Sequence, residues 1–480
     1  MSNLSNNYIA GDWVKGASSI SNINPSNTND VIGEFAQASN SQLEDALNSA
    51  QVAQRQWAAT GLEQRQAVLM KIGEEMMARS AELGELLSRE EGKPVAEGKG
   101  EVYRAGQFFT YYAAEVLRQG GDTADSVRPN IEIDVRREPM GTVAIISPWN
   151  FPTATASWKI APALAAGNTV VAKPSEVTPM TAYLFSKICI EAGLPKGVLN
   201  IVHGLGSKTG DPLTMHPDVP IVSFTGGTLT GKHIASVTAP MFKKLSLEMG
   251  GKNPNIVFAD ADFDKAVSTA ARAAFTNQGQ ICLCGSRLFV QEGIYEKFRD
   301  ALVAKAEKLK VGDPKDPSSN LGAVVSKDHM EKILSKIEEA KQLGGKILIG
   351  GEREILEGDL KNGYYIQPTI IDGLSSDCDI NQEEIFGPIV SLIPFKTEEE
   401  VVEMANSTKY GLSASIFTEN ISKGHRVAAN IDSGVVWINT WLLRDLRIPF
   451  GGMKHSGVGR EGGFKSLEFF TESKNVCVKI

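Results

Sequence analysis

Cys282 closes the segment Phe275-Thr276-Asn277-Gln278-Gly279-Gln280-Ile281-Cys282, and Glu248 stands in Leu247-Glu248-Met249-Gly250-Gly251-Lys252-Asn253-Pro254. These two segments offer a sulfur nucleophile and a carboxylate. A cysteine nucleophile attacks as its thiolate, so it needs neighbours that favour that form, and a covalent intermediate later needs a base to bring in water. Gly279-Gln280 suits a tight turn that presents the sulfur at the bottom of a cleft. The Gly250-Gly251 pair lets the backbone pass close to a ligand. Each residue alone has an ordinary reading. A buried cysteine is usually a small apolar side chain, a Glu before Gly-Gly can end a helix in solvent, and an Asn before Phe-Pro, as at Asn150, is often a turn residue. The conjunction is what points to chemistry.

With Pro148-Trp149-Asn150-Phe151-Pro152 upstream and Glu383-Glu384-Ile385-Phe386-Gly387-Pro388 downstream, the chain resembles the NAD(P)-dependent aldehyde dehydrogenase superfamily from about Tyr8 to its end. The resemblance implies that Cys282 attacks an aldehyde carbon to give a thiohemiacetal. It also implies that the Asn150 amide and the Cys282 backbone N–H hold the oxyanion, and that Glu248 activates water against the resulting thioester. A noncatalytic relative and a dehydrogenase that passes its acyl group to coenzyme A are the alternatives. The trio Cys282, Glu248 and Asn150 speaks against the first, and the water-activating Glu248 against the second.

The same resemblance assigns a set of residues to NAD. Ile146, Ser147, Pro148 and Trp149 lead into Asn150. Lys173, Ser175 and Glu176 follow a strand signal, and the Lys and Glu would hold the adenosine ribose. A carboxylate there accepts from both ribose hydroxyls and repels a 2′-phosphate, which favours NAD over NADP. Gly206 and Gly210 form a glycine signal that is weak by itself. Phe224, Thr225, Gly226, Gly227 and Thr230 resemble the loop at a helix N-terminus near the pyrophosphate. Most relatives carry Ser where this chain has Gly227. Glu384 and Phe386 match positions at the nicotinamide ribose and ring.

For the substrate, Trp441-Leu442-Leu443-Arg444-Asp445-Leu446-Arg447 looks like the branch that oxidises 2-aminomuconate and 2-hydroxymuconate semialdehydes. Arginines hold the substrate carboxylate in that branch, and by position Arg444 and Arg104 are the candidates here. A guanidinium fork grips a carboxylate through two parallel bonds. An ion pair local to its loop, or a solvated loop, is the other reading of Arg444. Other semialdehydes and broad aldehyde specificity remain alternatives.

The elements that must position these residues follow from periodicity. A strand-turn-strand pattern opens at Tyr8–Val14, and helical spacing runs over Ser41–Ala58 and Gln64–Gly92. Short apolar runs then alternate with helical stretches: Val143–Ile146, Thr169–Ala172, Val198–Val202 and Ile221–Phe224. This is the pattern of a parallel sheet covered by helices. A second alternating region spans about 256–437, and Asn475–Ile480 is a terminal strand. The expectation is an α/β chain: a Rossmann-like, parallel-sheet cofactor domain (1–118 and 139–249), a second α/β catalytic domain (250–448), and small β oligomerisation segments (119–138 and 449–480) that would make a homodimer or homotetramer.

The 480-residue length fits about two or three domains. A net charge of −8 argues against nucleic acid as the main partner. Met1–Asn7 lacks signal-peptide character, and no run approaches the roughly 20 apolar residues of a membrane span. Five cysteines make little sense as a disulfide framework and fit a reducing, cytoplasmic setting. Cys282-Leu283-Cys284 lacks the second ligand pair a zinc site needs, so no metal is expected.

Overall fold

Five short runs, Thr142–Ile146, Thr169–Lys173, Leu199–Ile201, Ile221–Thr225 and Lys244–Glu248, pair side by side as parallel strands. The first three are buried along their whole length, as strands under helices on both faces must be. This arrangement is seen in a computed structural model, which describes residues 4–480; Met1, Ser2 and Asn3, the start of the segment read as lacking a signal, lie outside the described residues. Across the sheet the order is Leu199–Ile201, Thr169–Lys173, Thr142–Ile146, Ile221–Thr225, Lys244–Glu248. Chain direction across the sheet therefore reverses between Thr142–Ile146 and Ile221–Thr225. Loops leaving their carboxyl ends diverge there and open a crevice, the place where doubly wound sheets bind nucleotides.

Both edges of this sheet are closed by distant pieces of chain. The hairpin Asn7–Ile9/Asp12–Val14 adds antiparallel to one side, turning at Ala10 and Gly11, both at positive φ. Gly457–Val458 adds antiparallel to Lys244–Glu248 on the other. The helical stretch expected at Gln64–Gly92 is two helices, Leu62–Ala78 and Ser80–Glu91, parted at Arg79 (φ −97°, ψ 16°). Apolar periodicity continues through the break, so the pattern alone reads as one helix. Helix Val95–Val116 crosses Leu62–Ala78 at Gly73 and Gly106, where a Cβ on either would lie 2.6 Å from the other's carbonyl oxygen. That close crossing fixes the helix that carries Glu97, Glu101 and Arg104.

A second sheet runs Lys346–Ile349, Thr369–Asp372, Ile389–Phe395, Arg287–Gln291, Pro254–Val257, Ser413–Phe417, Val435–Ile438, parallel except at its first edge. Helices Phe263–Phe275 and Lys327–Gln342 cover it and reach the crevice. A third sheet stands apart: Thr471–Lys479 pairs along its whole length with Ile131–Pro139, which also pairs with Asp122–Asp125. The segment 449–480, expected to serve oligomerisation, divides. Gly457–Val458 completes the first sheet, and Leu467 and Phe470, in or just after helix Gly463–Phe469, are buried in the first core. Only the final strand, with one buried residue, projects. Apolar side chains at 467 and 470 explain the division, because they draw that helix inward.

Candidate active site

Helix Phe263–Phe275 ends just short of the sulfur, and the chain then turns through three left-handed residues, Asn277 (φ 52°), Gln278 (φ 54°) and Gly279 (φ 69°). A side chain at Gly279 would strike the Gly387 backbone, so only glycine suits that place. Asn253 Nδ2 donates to the carbonyls of Cys282 (2.7 Å) and Cys284 (2.8 Å), and its Oδ1 accepts from Ser413 N–H (3.1 Å). The glycine-rich stretch read from sequence as a close approach therefore grips the cysteine loop itself. A Cβ on Gly251 would stand 3.0 Å from the Cys282 carbonyl oxygen. All five cysteines are free; Cys284 is buried and Cys282 only partly so.

Electrostatics around the sulfur differ from the sequence expectation. The Cys282 thiol is pushed up to about 12, first by burial, then by Glu384 and Glu248, with Arg444 opposing. The neighbours do not favour a thiolate, because the pocket that shelters the sulfur also collects carboxylates. Glu248 ends its strand between Thr225 and Gly457. Both its carboxylate oxygens are buried without a hydrogen-bond partner. Burial and then Glu461 raise its pKa well above the ordinary carboxylate value, against Lys159, Arg460 and Arg444. A carboxylate with raised proton affinity and no partner is suited to accept a proton from a bound group. Its Oε1 lies over Gly451, where a Cβ would come within 2.8 Å.

Asn150 begins the bend into helix Pro152–Ala165. Its Nδ2 donates to the Gln280 carbonyl (2.9 Å), which aligns the amide with the cysteine loop and leaves its second proton unengaged. The Cys282 backbone N–H donates to no backbone carbonyl among the described residues. Asn150, Cys282 and Glu248 all line one cavity of about 720 Å³. Two donors thus border the space in front of the sulfur, the arrangement that holds an oxyanion.

Toward the first sheet, the cavity is lined by Pro148, Trp149, Thr225, Gly226, Gly227, Glu384 and Phe386. Ile146 and Lys173 end adjacent strands, and Ser147 follows the first of them. Lys173 Nζ donates to the carbonyls of Pro174 (2.7 Å) and Gly204 (2.9 Å) and to Glu176 (3.3 Å), whose carboxylate reaches solvent. Ser175 is buried beside them. A Cβ on Gly210 would contact Lys173 and Ile146, whereas one on Gly206 or Gly227 would meet nothing within 4 Å. Helix Thr228–Thr238 starts at Gly227 with no side-chain cap; Gly227 lines the cavity, Thr230 is exposed, and Phe224 is packed beneath Gly226. An uncapped helix N-terminus at the sheet's reversal point, with a half-exposed carboxylate beyond Lys173, fits a dinucleotide without a 2′-phosphate.

The opposite end of the cavity carries the arginines. Arg444 lies 4.8 Å from the ring centre of Trp158 and 4.0 Å from that of Phe450. Its guanidinium makes no ion pair and no hydrogen bond among the described residues. The neighbouring Asp445 is taken by Arg447 at 2.7 Å, which removes the local ion-pair reading of Arg444. Arg104 also lines the cavity and supports the same loop, donating to the Arg444 carbonyl at 3.2 Å.

Several lining residues carry no motif. His329 and Lys332 reach the cavity from helix Lys327–Gln342, and His329 Nε2 lies 2.7 Å from the Phe386 carbonyl within a cluster of the Trp149, Phe386 and His329 rings. Helical spacing would have put 329 and 332 on one face, but nothing in the sequence points that face at a cofactor. Trp158 and Glu461 line the cavity as well, and no motif marks either of them. Lys159 and Glu461 form a buried ion pair with Ser223 and Ser246. No cluster of His, Cys, Asp or Glu among the described residues could hold a metal.

Residues 13–476 match the model of the aldehyde dehydrogenase family. A 2-aminomuconic semialdehyde dehydrogenase of Danio rerio is 43% identical, with 98% of each chain covered. A 2-hydroxymuconic semialdehyde dehydrogenase of Pseudomonas sp. (strain CF600) is 42% identical over 98% of this chain and 99% of its own. Among solved structures, a betaine aldehyde dehydrogenase from Staphylococcus aureus in complex with NAD+ superposes with a TM-score of 0.96 at 38% identity, covering 99% of this chain and 95% of that one.

Proposed function

This chain belongs to the aldehyde dehydrogenase family, and on that premise we propose that it oxidises a carboxylate-bearing semialdehyde to the acid, with NAD as acceptor. The enzyme class is settled by membership: the protein is an oxidoreductase acting on aldehydes. The observation that carries the substrate class is Arg444, a guanidinium lining the cavity between two rings that makes no ion pair or hydrogen bond among the described residues. Similarity to enzymes named for 2-aminomuconic and 2-hydroxymuconic semialdehydes supports the same class. A cationic aldehyde would meet repulsion there.

In this reading Cys282 Sγ attacks the aldehyde carbon, and the oxygen, now negative, accepts from Asn150 Nδ2 and the Cys282 N–H. The raised thiol makes proton loss part of the step, and the partly exposed sulfur releases that proton to solvent, which leaves Glu248 free for the second half of the reaction. NAD, when bound, supplies hydride acceptance at its nicotinamide ring. Cys282 is left acylated as a thioester. Glu248 then takes a proton from water, whose oxygen attacks the thioester carbonyl and frees the acid and the sulfur.

Arg444→Ala tests the substrate class. A charged hydrogen bond is worth about 1.5–3 kcal/mol, so efficiency with a carboxylate-bearing semialdehyde should fall roughly ten- to 150-fold, while a neutral aldehyde of similar length loses little. Equal losses for both, or a wild type that prefers neutral or cationic aldehydes, would remove the assignment. Lys173 and Glu176 support NAD over NADP. Glu176→Thr should raise relative use of NADP, and equal efficiencies in the unmodified enzyme would count against that role. The projecting strand Thr471–Lys479 supports assembly as a homodimer or homotetramer. Five free cysteines suit a cytoplasmic setting; no helix among the described residues is long and apolar enough to cross a membrane.

A further inference from the structure

Behind the Asn150 bend lies a buried charged cluster that the reaction above does not use. Lys93 is fully buried. Its ammonium donates to Glu101 Oε2 (2.8 Å) and to the Asn150 carbonyl (2.7 Å), and lies 4.2 Å from the Phe151 ring centre. The second oxygen of Glu101 accepts from the N–H groups of Thr153 (2.9 Å) and Ala154 (3.1 Å). Those amides open helix Pro152–Ala165, which has no side-chain cap of its own. One ion pair therefore grips the chain on both sides of the bend, at the carbonyl of residue 150 and at the amides of 153 and 154.

The circuit closes through the cysteine loop. Asn277 Nδ2 donates to the carbonyls of Asn150 (3.2 Å) and Gln280 (3.1 Å). Gln280 Nε2 donates to Glu91 (3.3 Å), and Glu91 accepts from the Lys93 backbone N–H (3.1 Å). A buried ion pair is seldom retained for stability, because desolvation offsets most of its attraction. Here every partner of the pair leads to a loop holding one of the two oxyanion donors. We propose that Lys93, fixed by Glu101, is a positioning residue that keeps the Asn150 amide directed at the space in front of Cys282. This rests on the reading of Asn150 as an oxyanion donor. A misplacement of about 1 Å in such a group costs roughly 10²-fold in rate.

The test is Lys93→Met in the full-length protein, with four measurements. They are the single-turnover NADH burst with a semialdehyde, acylation by p-nitrophenyl acetate without cofactor, alkylation of the thiol by iodoacetamide, and the Kd for NAD. Both acylations use the oxyanion donors and should fall about 10²-fold. Alkylation and NAD binding do not, and should stay within about twofold. In an Asn150→Ala background the same change should add no more than about twofold, because the group being positioned is gone. If Lys93→Met fails to fold, Lys93→Met with Glu101→Gln removes both charges, keeps an oxygen for Thr153 and Ala154, and is read by the same four measurements. An undiminished burst, an equal fall in all four, or a full further loss in the Asn150→Ala background overturns the proposal. Asn150→Ala acylating at full speed would instead overturn the reading on which it rests.

Discussion

Cys282→Ala should bind NAD with unchanged affinity and oxidise no aldehyde, a loss of more than about 10⁴-fold. Nothing else in the cavity can form the covalent intermediate at that point. Cys284, two residues on, is buried in a cluster with Ala273, Leu412 and Trp437, and burial raises its thiol. Cys284→Ala should therefore keep most of the activity. NADH absorbance with titration of nucleotide fluorescence checks both variants. Reversed phenotypes would reassign the nucleophile.

Glu248→Gln should separate the two halves of the reaction. The amide keeps the size of the side chain but cannot take a proton from water, so deacylation should slow by roughly 10²–10⁴. Rapid mixing should show about one NADH per active site, then slow turnover. The two unpartnered oxygens of Glu248 make this sharper than usual, since no existing hydrogen bond is lost on substitution. A Gln variant with no burst, where wild type acylates fast, would mean that Glu248 is needed already to take the thiol proton, and the division of roles would fall.

The residues that carry chemistry were legible because they lie in compact motifs. Asn253 and Gly251, part of one motif, turn out to hold the loop of another. The strands of the first sheet were legible too, since strands buried on both faces leave continuous apolar runs. What the sequence concealed depends on distance along the chain. Neither Lys93 nor Glu101 has a pattern linking it to Asn150, and Glu461 meets Lys159 from near the other end. The raised Cys282 thiol was hidden too, because it comes first from burial in the assembled pocket and then from Glu384 and Glu248, which lie far from it along the chain. Arg444 was placed by resemblance, but its lack of a partner could be seen only in three dimensions.

The edge strand Gly457–Val458 has a consequence for timing. It borders Lys244–Glu248, and the Met249 N–H donates to the Ser456 carbonyl at 2.9 Å. During synthesis, the strand that ends in Glu248 pairs with the earlier Ile221–Thr225 and emerges long before Gly457–Val458, which close its outer edge. Until they arrive it presents an open row of unpaired amides, the feature by which sheets recruit stray strands. Contacts between such distant positions also form late, after the cost of closing a long loop. A nascent chain therefore carries both Glu248 and Cys282 before the strand that closes the edge beside the base has been made, so the setting of that base is completed only as the end of the polypeptide folds home.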